Sequence, residues 1–223
     1  MSKTSKWIAG IIVVILLAVI GGALFVHFRT ADSTNTPKPS NVQKRGQRMK
    51  APKTLIVYYS RTGNTKAVAE LIQQEVGGDL AQIETKTSRP SNYRAEVEQN
   101  AREQEQSVKP ALKSNLPDLK QYDRIFIGSP TWNMALPQAV VSFMANNDFA
   151  GKTVIPFNTN GGYGVGSVFT QIKQGTSGAR VLKGFSIKGG EEINGILLAI
   201  KGNRRVTVSK EIRTWLTSIN QQQ

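Results

Sequence analysis

The chain has 223 residues, enough for one domain plus further segments, and its formal net charge is +14. It has no cysteine and a single histidine, which excludes disulfides, thiolate catalysis, histidine-based triads and metal sites built from these residues, so no metal partner is expected. Any redox chemistry therefore needs a bound cofactor. The basic charge indicates anionic surroundings, and because the sequence has no nucleic-acid-binding motif, lipid headgroups or cell-wall polymers are expected rather than nucleic acid.

The N-terminal part of the chain contains a long uncharged run, residues 7–28, WIAGIIVVILLAVIGGALFVHF. Its length is typical of a helix that crosses the hydrocarbon core of a membrane. We predict a transmembrane helix or signal anchor here, preceded by a short basic N-terminus, residues 1–6. A cleaved signal peptide is the alternative, with a small-residue cleavage site at residues 31–33.

The polar, proline-bearing residues 29–52 are predicted to form a disordered linker. Lys and Arg are more numerous after the apolar run than before it, which favours a cytoplasmic C-terminal domain. The absence of cysteine and the stalk-like composition of the linker favour the opposite side. We expect a single-pass protein of the cell membrane whose globular domain lies outside the cytoplasm.

From residue 53 to residue 223 strand and helix patterns alternate, which predicts one α/β domain with a mostly parallel sheet covered by helices on both faces. Predicted strands cover residues 53–60, 79–86, 124–130, 152–160 and 179–189. Predicted helices cover residues 64–76, 137–147, 166–174 and 209–219. Residues 87–121 are polar with a helical middle, and we interpret them as an elaborated surface connection rather than a domain.

Turn-rich polar segments follow three of the predicted strands: SRTGNT at 60–65, SPTWNMALP at 129–137 and NTNGGYGVG at 158–166. Open parallel sheets bind ligands beyond the carboxyl ends of their strands, so these loops are where a ligand is expected. We name them the first, second and third loops.

The first loop leads directly into a helix, whose unpaired N–H groups and positive dipole end favour an anion. The hydroxyls of Ser60, Thr62 and Thr65 and the amide of Asn64 add donors, and Gly63 allows the backbone to come close to a ligand. The loop therefore predicts a phosphate socket, although it matches neither GxxxxGK[ST] nor GxGxxG. Simple capping of the helix by Thr62 or Asn64 is the alternative.

The second and third loops each carry an aromatic residue, Trp132 and Tyr163, which could hold a flat ring from two sides. The alternative is that both are partly buried packing residues. A phosphate socket beside two aromatic loops favours a flat heteroaromatic ligand that bears a phosphate.

The segment YYSRTGNTKAVAELI resembles the signature of flavodoxins, and GSPTWNMALP and NTNGGYG more loosely resemble the loops that flank the flavin in that family. The resemblance covers residues 54–219. It implies a flavodoxin-like doubly wound α/β fold, a five-stranded parallel sheet in the order 2-1-3-4-5, and non-covalently bound flavin mononucleotide (FMN).

The resemblance also implies roles for individual residues. Trp132 would stack on or beside the isoalloxazine, Tyr163 would cover the other face, and Asn133 stands where many members have glycine beside a peptide that can flip towards the reduced ring. The implied cofactor-binding residues are Ser60, Arg61, Thr62, Gly63, Asn64, Thr65, Pro130, Thr131, Trp132, Asn133, Asn158, Thr159, Asn160, Gly161, Gly162, Tyr163 and Gly164. No catalytic residue is predicted.

The expected function is that of a membrane-tethered, FMN-binding redox protein that passes electrons to or from a partner protein or a small acceptor. Flavodoxins are commonly acidic whereas this chain is basic, so a reductase with a basic face is not the expected partner. An NAD(P)H-dependent quinone or small-acceptor reductase on the same fold is the second hypothesis. A flavin-free binding or structural module is the third, because fold does not fix function.

Overall fold

The computed structural model describes residues 51–220, which all lie within one unit, Met49–Gln223. The predicted basic N-terminus, the predicted membrane helix and nearly all of the predicted linker lie outside the described residues. Among residues 51–220, no helix has both the length and the apolar character needed to cross a membrane.

The centre of the fold is a parallel sheet. Its strands are β1 (Thr54–Tyr58), β2 (Asp79–Gln82), β3 (Arg124–Pro130), β4 (Thr153–Asn160), β5 (Arg180–Val181) and β6 (Phe185–Lys188). The strand order is β2-β1-β3-β4-β5, and every pairing is parallel. The predicted order 2-1-3-4-5 is confirmed. The order reverses between β1 and β3, so a crevice is expected at their carboxyl ends.

The fifth position of the sheet differs from the prediction, because two short strands occupy it instead of one continuous strand. Thr153 of β4 is paired with Arg180 of β5, and Phe157 of β4 is paired with Phe185 of β6. The register therefore gains one residue between the two strands, which is the geometry of a bulge. Gly184 lies in this interval, where a Cβ would come within 2.7 Å of the Phe169 ring.

Helices cover both faces of the sheet. They are α1 (Asn64–Val76), α2 (Tyr93–Glu105), α3 (Gln138–Ala145), α4 (Val168–Gly175) and α5 (Gly202–Asn220). Apolar residues of α1 and α5, such as Ile72 and Trp215, share one core cluster with Phe126 of β3. Residues of α3 and α4, such as Phe143 and Ile172, form the other cluster. β3 contributes to both clusters because its side chains alternate between the two faces.

The predicted helix within the inserted segment 87–121 is present as α2, but it is more than a solvated surface feature. Glu96, Asn100 and Glu103 of this helix are buried. Arg89 lies beside two of them, with Nε 2.9 Å from Glu96 Oε1 and Nη1 in contact with Glu103 Oε1. Buried carboxylates need such partners, and this pairing joins α2 to the start of the same inserted segment.

Candidate functional site

A cleft of about 710 Å³ opens at the carboxyl edge of the sheet, where the first, second and third loops meet. Such a volume is typical of a cavity that holds a cofactor-sized ligand. The structure places in its lining all the predicted site residues except Gly63 and Asn158. The three loops are therefore neighbours in space, as the strand pattern predicts.

The first loop presents the start of α1 without a side-chain cap. The N-cap residue is Gly63, with φ of +92°, and no side chain accepts a hydrogen bond from the first turn. Capping by Thr62 or Asn64, the simpler interpretation of this loop, is therefore wrong. Ser60 Oγ accepts a hydrogen bond from Gly63 N at 3.2 Å, so the loop is folded back on itself with its hydroxyls at the cleft. The N–H groups of the first turn of α1 are suited to an anion.

Asn64 differs from its expected role as an amide donor to a phosphate. Its side chain is 4% exposed and is bonded to residues 190–200, which we name the strap. Asn64 Oδ1 accepts from the N–H groups of Ala199 at 3.0 Å and Ile200 at 3.2 Å, and Nδ2 donates to Leu197 O at 2.6 Å. The side chain is thus bound to the strap, because two backbone N–H groups there, one of them the buried N–H of Ile200, have it as their acceptor.

The remaining polar groups of the first loop are arranged around the cleft. Thr62 Oγ1 accepts from Asn64 Nδ2 at 2.9 Å, which leaves its own O–H to donate elsewhere. Thr65 Oγ1 lies 2.8 Å from Thr159 Oγ1, at the end of β4. The Arg61 guanidinium donates to the carbonyl oxygens of Pro90 and Ser91, both at 2.9 Å, and lies 3.7 Å from Glu96 Oε2. Arg61 therefore ties the first loop to the inserted segment.

The second loop makes a tight reversal between Trp132 and Ala135, which exchange two backbone hydrogen bonds of 3.0 Å each. Asn133 and Met134, between them, have φ of +49° and +58°. Two successive left-handed residues match a type I′ turn. Asn133 thus adopts the left-handed conformation, which asparagine tolerates better than most residues other than glycine.

The third loop exposes its aromatic residue almost completely. Tyr163 is 89% exposed and lines the cleft, so its interpretation as a partly buried packing residue is wrong. The backbone beneath it is held by Asn160, whose Oδ1 accepts from Gly162 N at 2.9 Å and Gly164 N at 3.3 Å. A hydrogen-bonded loop that presents an unpacked ring is suited to stacking on a ligand.

Asn158 does not line the cleft, which corrects its predicted role as a cofactor-binding residue. Its side chain is fully buried and lies beneath the cleft instead of in its wall. Asn158 Nδ2 donates to Ser129 O at 2.9 Å and Thr131 Oγ1 at 3.0 Å, and Oδ1 accepts from Ser186 Oγ at 3.0 Å. It joins the second loop to β6, because a buried amide in a strand is satisfied by its neighbours across the sheet.

Two parts of the cleft wall are absent from the predicted site. One is α2, which contributes Tyr93, Glu96, Val97 and Asn100, and the other follows β6. This second part begins at the end of β6, and its lining residues are Lys188, Gly189, Gly190, Glu191, Ile193 and Asn194. The glycine pair in KGGEEIN, at the end of the last predicted strand, is the signal that could have indicated a fourth loop.

Tyr59 supports the second loop from below. Its ring contacts Trp132 edge to face, with 5.4 Å between ring centroids. Burial raises the pKa of Tyr59 to about 12, although the positive charge of Arg89 opposes the shift. The neutral phenol is thus the form that fits beneath Trp132.

We expect Tyr59 to contribute to an alkaline loss of stability. Its pKa is about 10 when unfolded and about 12 when folded, so its contribution is complete below pH 10 and is lost as the pH rises through 12. The loss expected from two pKa units is about 2–3 kcal/mol. Denaturant unfolding of Tyr59→Phe and the wild type between pH 8 and pH 12 measures it, and stability curves that stay parallel would contradict it. Tyr122, whose pKa is also raised to about 12 by burial and by its hydrogen bond to Asp79, should still titrate in the variant.

The family model described as flavodoxin matches residues 53–196 of this chain. A flavodoxin of Synechocystis sp. is 28% identical over 106 residues, which are 46% of this chain and 48% of that protein. The chain spans about half the length of the curated relatives that it matches.

The fold is also similar to solved structures. A provisionally assigned flavoprotein from Bacteroides uniformis has a TM-score of 0.60 and 30% identity, covering 74% of this chain and 99% of that one. A flavoprotein of Lactobacillus acidophilus in complex with FMN has a TM-score of 0.54 and 23% identity, covering 66% of this chain and 99% of that one. The second likeness shows the fold alone.

Proposed function

Because this chain belongs to the flavodoxin family, we propose that it binds FMN non-covalently and passes electrons through the bound flavin. One observation carries the proposal. The uncapped start of α1 with its hydroxyl-rich loop shares a single cleft with Trp132 and with the exposed Tyr163. This combination fits a ligand that carries a phosphate at one end and a flat aromatic ring at the other.

The first loop would hold the phosphate of FMN. The N–H groups at the start of α1 and the hydroxyls of Ser60, Thr62 and Thr65 form a donor set suited to a dianion. The nearby charge is moderate, since Arg61 is already beside Glu96. Binding therefore depends mainly on hydrogen bonds from the loop.

Trp132 and Tyr163 would enclose the isoalloxazine, while Thr131, Asn133, Asn160 and Gly161 would offer polar contacts at its edges. FMN itself supplies the redox chemistry, and the protein supplies binding, orientation and exclusion of water. Tyr59 fixes the position of Trp132 through its edge-to-face contact.

The proposal is tested by incubating the purified chain with FMN and passing it through a gel-filtration column. Flavin absorption bands that travel with the protein, and that bleach and return on chemical reduction and reoxidation, would support it. A protein fraction without flavin absorption at micromolar FMN would refute it.

A second candidate function is favoured by one observation. The cleft extends beyond the three loops to α2, where Tyr93 and Val97 add an apolar wall. Such space suits an FMN-dependent reductase that uses NAD(P)H and a quinone or another small acceptor. Steady-state oxidation of NADPH with a quinone, with no other protein present, separates the two: turnover supports the reductase, and its absence supports the electron carrier.

We also propose that residues 7–28 tether the domain to a membrane, with the domain outside the cytoplasm. The support is the uncharged composition of this run and the cysteine-free chain. Protease added to intact cells should remove the domain from its tether. Protection until the membrane is permeabilised would place the domain inside the cytoplasm, and recovery of the intact chain without membranes would refute the tether.

A further inference from the structure

One face of α2 carries a stripe of three polar residues, Glu96, Asn100 and Gln104, spaced four apart so that they lie above one another. Gln104 at one end is fully engaged. Its Nε2 donates to the carbonyl oxygens of Trp132 and Leu136, both at 3.1 Å, and its Oε1 accepts from Asn133 Nδ2 at 3.1 Å. This end of the stripe holds the second loop in place.

Glu96, at the other end of the stripe, is held by arginines. Its Oε1 accepts from Arg89 Nε at 2.9 Å, and its Oε2 lies 3.7 Å from Arg61 Nη1. At that distance Oε2 forms an ion pair but no hydrogen bond within the described chain. Glu96 thus has charge compensation together with one oxygen that can still accept a hydrogen bond.

Asn100 lies between these two residues and differs from both. Its side chain is 3% exposed and lines the cleft. Its Oδ1 is buried without a hydrogen-bond partner, and no hydrogen bond found within residues 51–220 involves its amide nitrogen. Buried amides are almost always paired, because an unpaired one is costly. An unpaired amide in a cleft wall therefore indicates a ligand that supplies the missing partner.

The surface around Asn100 defines the chemistry of that ligand. Val97 is 45% exposed and, together with Tyr93, gives the wall an apolar surface beside the amide. Arg61 and Arg89 are both directed at Glu96, so the wall is not built to attract an anion. It favours a neutral molecule that sets a polar group at Asn100 and an apolar surface against Tyr93 and Val97.

We propose that Tyr93, Glu96, Val97 and Asn100, which we name the α2 wall, form a second subsite of the cleft for a small neutral ring compound of the quinone and hydroquinone class. Asn100 Nδ2 can donate to a ring carbonyl, and Asn100 Oδ1 can accept from a ring hydroxyl. One side chain thus recognises both forms of the compound. The inference rests on the proposed function, since it places this compound in the same cleft as FMN.

The test uses 1,4-naphthoquinone as the probe, measured by titration calorimetry on the full chain with and without FMN. The chain has no cysteine, so adducts of the probe with thiols cannot occur. Asn100→Leu keeps the size of the side chain and removes its donor and acceptor. We expect it to weaken probe binding about tenfold, since a hydrogen-bonding side chain is lost, while FMN affinity and the melting temperature are kept.

Gln99→Leu is the matched control, because Gln99 is on the same helix but does not line the cleft. Its Nε2 donates a hydrogen bond to Glu103 Oε1. It should leave probe affinity unchanged. If Asn100→Leu has a lowered melting temperature, Asn100→Ala, which adds no volume, takes its place. It should lower the affinity for the probe in the same way.

Three outcomes would refute the proposed subsite at the α2 wall: probe affinity unchanged in both Asn100 variants, no probe binding by the wild type, or competition of the probe with FMN. The two proposals fail separately. Probe binding that depends on Asn100 in a chain that does not bind FMN would refute the proposed function and support the wall. FMN binding without probe binding would support the proposed function and refute the subsite at the α2 wall.

Discussion

Replacing Asn64 by alanine should destabilise the domain strongly. The change removes the hydrogen bonds that the Asn64 side chain makes to Leu197 O, to the N–H groups of Ala199 and Ile200, and to Thr62 Oγ1. Ile200 is buried, so its N–H group would lose its acceptor with little access to water. We expect a loss of about 2–4 kcal/mol, since each buried unpaired group costs about 1–3 kcal/mol.

The measurement is the free energy of unfolding from denaturant titration, and a melting temperature lower by about 5–15 °C should accompany it. Asn194→Ala is the matched control, because Asn194 is an exposed asparagine of the same strap whose side chain makes one hydrogen bond, to Glu191. It should cost less than about 0.5 kcal/mol. Equal losses in the two variants would show that Asn64 does not fasten the strap.

Replacing Gly63 by valine should abolish tight FMN binding. Gly63 has φ of +92°, a conformation that a β-branched residue adopts only under strain. The nearest atom to a new Cβ would be Leu198 Cδ1 at 3.6 Å, an ordinary contact, so the cost comes from the backbone and not from crowding. A displaced backbone would misalign at least two hydrogen bonds to the phosphate. At about 1.5–3 kcal/mol each for bonds to a charged group, affinity should fall about a hundredfold or more.

Gly77→Val provides the control for this variant. Gly77 ends the same helix, also with positive φ, of +69°, and no atom lies within 4 Å of a Cβ built there. Both variants should lose stability through the same backbone strain. Only Gly63→Val should lose FMN affinity, measured by fluorescence titration at a temperature where both are folded. A similar loss of FMN affinity in Gly77→Val would mean that general destabilisation explains the effect.

The fold and the three loops could be predicted from the sequence because the signals are local. The run TLIVY has only residues that favour a buried strand, and the pattern of apolar residues after Asn64 repeats with the helical period. In a parallel sheet, the end of each strand then fixes the edge where its loop lies. The convergence of Thr62, Trp132 and Tyr163 on one cleft followed from that geometry alone.

The strap and the α2 wall could not be predicted, because long-range contacts determine them. Asn64 is a plausible phosphate ligand or helix cap in the sequence, and its true partners lie more than 130 residues further along the chain. The polar sequence of α2 is typical of a solvated helix, yet it is joined to distant parts of the chain through Arg61 at Glu96 and through the carbonyl oxygen of Trp132 at Gln104. Side chains whose partners are distant give no periodic signal.

The central claim is that the first loop binds the phosphate of FMN, and the most direct measurement compares FMN with riboflavin, which lacks the phosphate. Thr62→Ala and Thr65→Ala should each weaken FMN about tenfold or more, because each removes a hydroxyl that can bond to a charged group. Riboflavin affinity should stay unchanged in both. Trp132→Ala, which acts on the ring, should weaken both ligands alike and so validates the comparison. Equal losses of FMN and riboflavin affinity in Thr62→Ala and Thr65→Ala would contradict the claim.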